Sequence, residues 1–190
     1  MNAITGVILA GGKSSRMGVD KGLALLNGKP MIQHMIAVIE KLGIELIIIS
    51  NNPAYKAFGY PVYEDVIPEK GPAGGILTAL ECSATDLNLI LSCDAPYINS
   101  DVLNALISKS RNNDITIAEH EGVEYPLIGV YSKSVKKVFR KNVEQNKLKL
   151  RSICSELEAN IVSFPLGSHG VDDNTFNNIN TQEQLNSLAL

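Results

Sequence analysis

Short apolar, β-branched runs alternate along this chain with segments of helical periodicity, and that alternation narrows the fold to an α/β architecture. The runs are Val7 to Leu9, Leu46 to Ile49 and Leu87 to Leu91, with shorter ones at Val62-Tyr63 and Ile115 to Ala118. Between them apolar residues recur at helical spacing: Met31, Met35, Val38, Ile39 and Leu42, then Ile76, Leu77 and Leu80, then Val102, Leu103, Leu106 and Ile107. An uninterrupted apolar strand must be covered on both faces, and a helix between two such strands is the crossover that parallel pairing requires. A mostly parallel sheet follows. Beyond Ile115 the alternation loosens: Glu119 to Glu124 reads as a polar hairpin tip around Gly122 and Leu127 to Tyr131 as its return strand, which makes that half of the sheet mixed.

Boundary residues agree with this reading. Asn27-Gly28 and Pro30 punctuate the start of a Met31 to Leu42 helix, Gly43 ends it, and Thr181 with Gln184 offers a capping box for a last helix. Leu166 to Asn178, rich in Gly, Ser, Asp and Asn, reads as a mobile surface loop. At 190 residues, with no repeat or linker, the chain suits one domain with one substantial core.

The first apolar run ends in LAGGKSSRMGVDK, Leu9 to Lys21, where two adjacent glycines are followed by Lys13, Arg16 and Lys21. Gly11 and Gly12 let backbone N–H groups approach an anion with no Cβ in the way, and the cations neutralise its oxygens. In open α/β sheets ligands bind at the carboxyl ends of the strands, where this loop sits. The spacing fits neither familiar phosphate motif. A P-loop would need Gly where Arg16 or Met17 stands, and a dinucleotide fingerprint cannot be built from Gly11, Gly12 and Gly18. A nicotinamide dehydrogenase is thereby disfavoured.

Four further segments could carry chemistry. Ser92-Cys93-Asp94-Ala95-Pro96 places a carboxylate at the end of a buried strand, where it suits Mg²⁺ or an Asx-type turn about equally. A polyphosphate held by the glycine loop favours the metal. In Asn178-Ile179-Asn180-Thr181 an extended backbone turns both amides to one face, as a pair of ligands or as turn chemistry. Lys70-Gly71-Pro72-Ala73-Gly74-Gly75 opens a helix whose free N–H groups favour an anion or a flat base, or else pack tightly on the sheet. Glu64-Asp65 follows a short strand and reads as ordinary loop charge; only near a nucleotide site would a carboxylate there accept two hydrogen bonds from guanine, an edge adenine does not offer.

Composition removes other classes. A net charge of −3 argues against a nucleic-acid binder that relies on overall basicity, and no apolar run approaches a membrane span. Cys82, Cys93 and Cys154 show no paired spacing, so neither a disulfide framework nor a zinc site is expected, and a reduced cytoplasm fits. His34, His120 and His169 lack metal-ligand spacing and read as structural. Charge is uneven: Lys133 to Arg151 holds eight Lys or Arg and one Glu, while nothing after Arg151 is basic except His169. That stretch is a solvated helix face or an anion-attracting wall.

Together LAGGKSSRMGVDK, GPAGGI, SCDAP, YPLIG and NINT resemble, in order and over nearly the whole chain, the molybdenum cofactor guanylyltransferases of the nucleotidyltransferase superfamily. LAGG rather than LAAG tilts toward guanylyl transfer. The resemblance implies a Rossmann-like three-layer α/β sandwich, nucleotide-binding in its N-terminal part and acceptor-binding in its C-terminal part. It implies transfer of GMP from GTP to the terminal phosphate of molybdopterin with release of pyrophosphate. Leu9, Ala10, Gly11, Gly12, Lys13 and Lys21, with Gly71 and Gly75, then surround GTP, and Asn51 and Asp65 read guanine. Arg16, Lys21 and Asp94 carry the chemistry, with Mg²⁺, or Mn²⁺ in its stead, on Asp94. Asn178 and Asn180 lie at the pterin side, and Lys147, Lys149 and Arg151 are acceptor docks by charge.

The implied partners are GTP, the pterin and, transiently, molybdoenzymes or their chaperones, with no nucleic acid or membrane, for a cytoplasmic monomer. Two positions depart from the family: Gln182-Glu183 stands where Pro-Glu is common, and Tyr125 precedes Pro126 where His or Gln is frequent. The alternatives are cytidylyl or sugar-phosphate transfer with the same phosphate machinery, and a nonenzymatic nucleotide-binding adaptor.

Overall fold

In the computed structural model, which describes residues 3–11, 20–181 and 183–185, nine strands and five α-helices follow one another with short connections. They are β1 (Ile4–Leu9), β2 (Leu25–Leu26), β3 (Lys29–Pro30), α1 (Met31–Glu40), β4 (Glu45–Ile49), β5 (Val62–Tyr63) and α2 (Gly71–Cys82). Then come β6 (Leu87–Ser92), α3 (Ser100–Lys109), β7 (Ile115–His120), β8 (Val123–Ser132), α4 (Lys136–Glu144), α5 (Leu150–Cys154) and β9 (Ala159–Ser163). Seven strands form one sheet in the order β5-β4-β1-β6-β8-β7-β9. Pairings β5–β4, β4–β1, β1–β6 and β7–β9 are parallel, and β8 runs against both its neighbours. The mixed half expected from the loosened alternation is this reversed strand.

Period-two alternation distributes the strand residues between two layers. Val7 and Leu9 face α2 and α4, against Ile76, Leu77, Leu80, Phe139 and Val143. Ile8, Ile48, Leu89 and Leu91 face α1 and α3, against Met35, Ile39, Val102 and Leu106. Each such side chain, fully buried, contributes about 1.5–3 kcal/mol. Close backbone packing is part of the design: a Cβ on Gly129 of β8 would lie 2.8 Å from the Thr116 carbonyl of β7.

Strand order reverses at β1. The chain moves outward through β4 to β5 and then returns to β1's other side as β6. Leu9 is in register with Ile49 on one side and Ser92 on the other, so three parallel strands end level around a crevice.

Two local expectations are corrected. Asn27 and Gly28, both at positive φ (50° and 75°), form the two-residue turn of the β2–β3 hairpin, and Pro30 stands at the N-cap position of α1 with no side-chain capping bond. The stretch from Leu166 to Asn178 is no simple surface loop, because Val171, Thr175 and Phe176 are buried in it. Phe176 stacks on His120 at 4.9 Å and packs on Tyr125 at 5.0 Å. Its polar composition hid three anchoring residues. Among the described residues no helix is long and apolar enough to cross a membrane.

Candidate active site

A cleft of about 730 Å³ opens at the carboxyl ends of β1, β4 and β6, a size suited to a nucleotide. Leu9, Ala10 and Gly11 form its floor, Ser50 to Asn52 and Asp65 one wall, and Gly71, Pro72 and Gly75 of α2 another. Gly75 does both things the sequence left open. It lines the cleft, and a Cβ there would come within 3.3 Å of Leu9 Cδ2. Gly71 holds φ of 57°, a conformation glycine adopts without strain, at the first residue of α2. The wall of α2 is thus backbone, with its N-terminal dipole end toward the cleft.

Asn51 and Asp65 come together as a reciprocal pair: Asn51 Nδ2 donates to Asp65 Oδ2 at 2.9 Å and Asp65 N donates to Asn51 Oδ1 at 2.8 Å. Next to Asp65, Val66 N donates to Thr78 Oγ1 of α2 at 3.1 Å. Burial pushes the Asp65 carboxyl above its ordinary range, against the opposing hydrogen bond from Asn51. Its Oδ2 accepts from Asn51, and the carboxylate lines the cleft.

Beyond Asp20 and Ser92, both on the cleft wall, lies the most polar junction. Lys21 Nζ donates to Asp94 Oδ2 at 2.7 Å and to Asn180 Oδ1 at 2.6 Å, joining residues 73 and 159 positions apart in sequence. Asp94 Oδ1 is buried and has no hydrogen-bond partner among the described residues. A buried unpartnered carboxylate oxygen suits a cation. Among the described residues no group of three or more His, Cys, Asp and Glu gathers to enclose a metal, so a cation there would take its remaining ligands from a polyphosphate and water. Burial and the neighbouring Asp94 charge push the Cys93 thiol up to about 12, which keeps it neutral.

The NINT segment is held by its backbone: Ile179 N donates to the Asp94 carbonyl at 2.9 Å, and Ile179 is fully buried while Asn178 and Asn180 are exposed, as the alternation required. The capping box forms, with Gln184 N donating to Thr181 Oγ1 at 3.1 Å and Gln184 Oε1 accepting from Thr181 N at 3.2 Å. The same oxygen accepts from Asn180 N at 2.7 Å.

Lys147, Lys149 and Arg151 are exposed and do not join the Lys21 junction among the described residues. Their segment leaves the end of α4 beside the start of α2, where Lys70 Nζ donates to Asn146 Oδ1 at 3.2 Å. Two other cations of that basic stretch serve packing: Arg140 pairs with Glu81 and Glu144, and Lys133 Nζ holds the Ser83 carbonyl at 2.5 Å. Gly12, Lys13 and Arg16 lie outside the described residues, as does Gln182. His34 and His120 bond to backbone carbonyls, of Leu26 at 3.0 Å and Phe164 at 2.7 Å.

Sequence reasoning missed Asp20, Ser50, Asn52 and Leu127. Leu127 reaches the cleft because β8 bulges: Ile117 pairs with Gly129 but Ala118 with Tyr125. Tyr131 Oη donates to the Pro126 carbonyl in that bulge at 2.6 Å.

A family model described as MobA-like NTP transferase domain matches residues 6–161. The chain is 37% identical over 191 residues to a Flavobacterium johnsoniae protein named "Probable molybdenum cofactor guanylyltransferase", covering 100% of this chain and 98% of the other. It is 32% identical over 193 residues to the "Molybdenum cofactor guanylyltransferase" of Haemophilus influenzae, with 98% of each covered. Among solved structures, molybdopterin-guanine dinucleotide biosynthesis protein A from Archaeoglobus fulgidus superposes with a TM-score of 0.80 at 22% identity, over 97% of this chain and 96% of that one. CMP:2-keto-3-deoxy-manno-octonic acid synthetase complexed with CTP superposes at 0.79 and 16% identity, over 98% and 97%. These two likenesses concern the fold.

Proposed function

The chain belongs to the MobA-like NTP transferase family and is a nucleotidyltransferase, and from that premise we propose that it transfers GMP from GTP to the terminal phosphate of a molybdopterin-type acceptor. The observation that carries this reading is the Lys21 ammonium shared by Asp94 and Asn180, with Asp20, the residue before Lys21, lining a nucleotide-sized cleft. One residue from each of three separate motifs meets at a single point.

An oxygen of the acceptor phosphate attacks the α-phosphorus of GTP. The new P–O bond forms as the bond from the α-phosphorus to its bridging oxygen breaks, and pyrophosphate leaves with that electron pair. The attacking oxygen is already anionic near neutral pH, so the protein need supply only alignment and positive charge. Asp94 would hold Mg²⁺ through its unpartnered Oδ1, and the metal when bound would neutralise charge on the triphosphate. Lys21 trades its contact with Asp94 for phosphate oxygens, and its charge is held ready by that contact in the meantime. Leu9 to Gly11 and the start of α2 flank the nucleotide. Asn51 orients Asp65, whose carboxylate accepts from guanine N1–H and the exocyclic amine. Asn178 and Asn180 face the acceptor, so the N-terminal part of the chain serves the nucleotide and the C-terminal part the pterin.

Incubation with a molybdopterin-type acceptor, Mg²⁺ and each of GTP, CTP, ATP and UTP tests this directly. Pyrophosphate release is expected with GTP. Release with CTP and not with GTP would turn the reading into cytidylyl transfer, and release with none would leave a nucleotide-binding adaptor.

A further inference from the structure

Lys21 stands on a 3₁₀ turn, Lys21–Leu23, and the residue before it is tied down by groups from elsewhere in the chain. Asp20 Oδ1 accepts from Gly22 N at 3.2 Å and from the hydroxyl of Tyr55, and its Oδ2 accepts from Asn52 Nδ2 at 2.8 Å. Tyr55 has no exposed surface. Its ring lies so close to the turn that a Cβ on Gly22 would overlap its hydroxyl. Asn52 is fixed in turn: Asn52 N donates to Ser50 Oγ at 3.1 Å, Ser50 Oγ donates to the Ala10 carbonyl at 2.8 Å, and Asn52 Oδ1 accepts from Ala54 N at 3.0 Å. The exits of β1 and β4 and the Lys21 turn are thereby fastened together.

Burying a phenol against a carboxylate costs free energy that ordinary packing would avoid, since a phenylalanine would fill the same space. Here that arrangement clamps the residue adjoining Lys21. We propose that Tyr55 and Asn52, acting through Asp20, are positioning residues that set where the Lys21 ammonium meets the reacting phosphates. This rests on the reading of Lys21 given above. Phosphoryl transfer depends on alignment, and a displacement of about 1 Å at a distance from the chemistry can cost 10²-fold in rate. The clamp sits beside Asn51, so the strand exit that reads the base also holds the lysine turn.

The test is a double-mutant cycle with Lys21. Tyr55→Phe keeps the ring and removes the donor, and it is expected to lower kcat about 10- to 100-fold while KM for GTP changes little. In a Lys21→Met background the same substitution should change the residual rate by less than about 2-fold, because the group it positions is gone. Equal losses in both backgrounds, or a Tyr55→Phe enzyme with unchanged kcat, would overturn the proposal. Asn52→Ser provides a second arm should Tyr55→Phe fail to fold: serine still caps the following turn but does not reach Asp20, and the same pattern is expected.

Heteronuclear NMR of the Lys21 ε-ammonium gives a readout that needs no turnover. The wild-type signal should be that of a hydrogen-bonded, slowly exchanging ammonium, and it should broaden into fast exchange in either variant while the melting temperature falls only slightly. A persistent slow-exchanging signal in both variants would sink the idea. A wild-type protein that releases no pyrophosphate defeats the functional reading, and the NMR arm still decides the positioning of Lys21.

Discussion

At the scale of single residues, Asp65 and Asp94 show how one side-chain type is given two tasks by its surroundings. Burial raises the Asp65 pKa, so the folded state binds that proton more tightly than the unfolded chain does. Its stabilising contribution is therefore full below the unfolded carboxyl's pKa, near 4, and is lost as pH rises through the higher folded value. Asp65→Asn should accordingly melt at a higher temperature than wild type at neutral pH, and the difference should vanish in acid. The same substitution removes a charged acceptor for guanine, worth about 1.5–3 kcal/mol, so KM for GTP should rise roughly 10- to 100-fold. Wild-type affinity for GTP should weaken on acidification sooner than an ordinary carboxylate would allow. A GTP titration and a melting curve at several pH values read both effects. Asp94→Ala is expected to abolish turnover nearly completely while sparing the fold, because among the described residues the carboxylate's one side-chain partner is the half-buried Lys21, which keeps Asn180. Normal activity in Asp94→Ala would remove the metal assignment.

Among elements, the capping box at Thr181 does more than start a helix. Gln184 Oε1 holds the backbone of Asn180 as well as that of Thr181, so the cap sets the presentation of the side chain proposed to meet the acceptor. Gln184→Ala should destabilise this end of the molecule by ~1 kcal/mol and raise KM for the acceptor severalfold at unchanged KM for GTP. Gln184→Glu, which preserves the acceptor oxygen, should restore both. That box was legible in the sequence because its partners are three residues apart, as were the main strands and helices, whose signal is periodic. Asp94, Lys21 and Asn180 were legible as motif residues, and Asp94 was expected at the same sheet edge as the glycine loop, but the contact of Lys21 with Asn180 joins positions 159 apart and had no local signal. Asn52 and Tyr55 carried no such signal: their partner Asp20 is 32 and 35 positions away, and a lone tyrosine between turns reads as packing. The hairpin at Asn27-Gly28 was misread for a related reason, since a two-residue turn between two-residue strands has no period to detect.

For the molecule as a whole, a net charge of −3 hides an uneven distribution, with eight Lys or Arg between Lys133 and Arg151, and the proposed docking of an anionic acceptor rests on that stretch. The cations at Lys147, Lys149 and Arg151 follow α4 toward the start of α2, while the acidic residues of the last segment lie beyond them in sequence. Exposed charges contribute little singly, about 0.2–1 kcal/mol each, but three of one sign within five residues of sequence add a field that a doubly charged phosphate senses, screened over a Debye length of about 8 Å. Reversing all three to Glu should raise KM for the acceptor roughly 10-fold and leave kcat and KM for GTP near their wild-type values. Salt separates this from a change in shape. The wild-type acceptor KM should climb between low and physiological ionic strength, whereas that of the reversed variant should stay level or fall, because screening now weakens a repulsion. An acceptor KM that is unmoved by the reversal and equally salt-dependent in both proteins would make the basic stretch a solvated helix face, and the proposed recognition of the acceptor would then rest on Asn178 and Asn180.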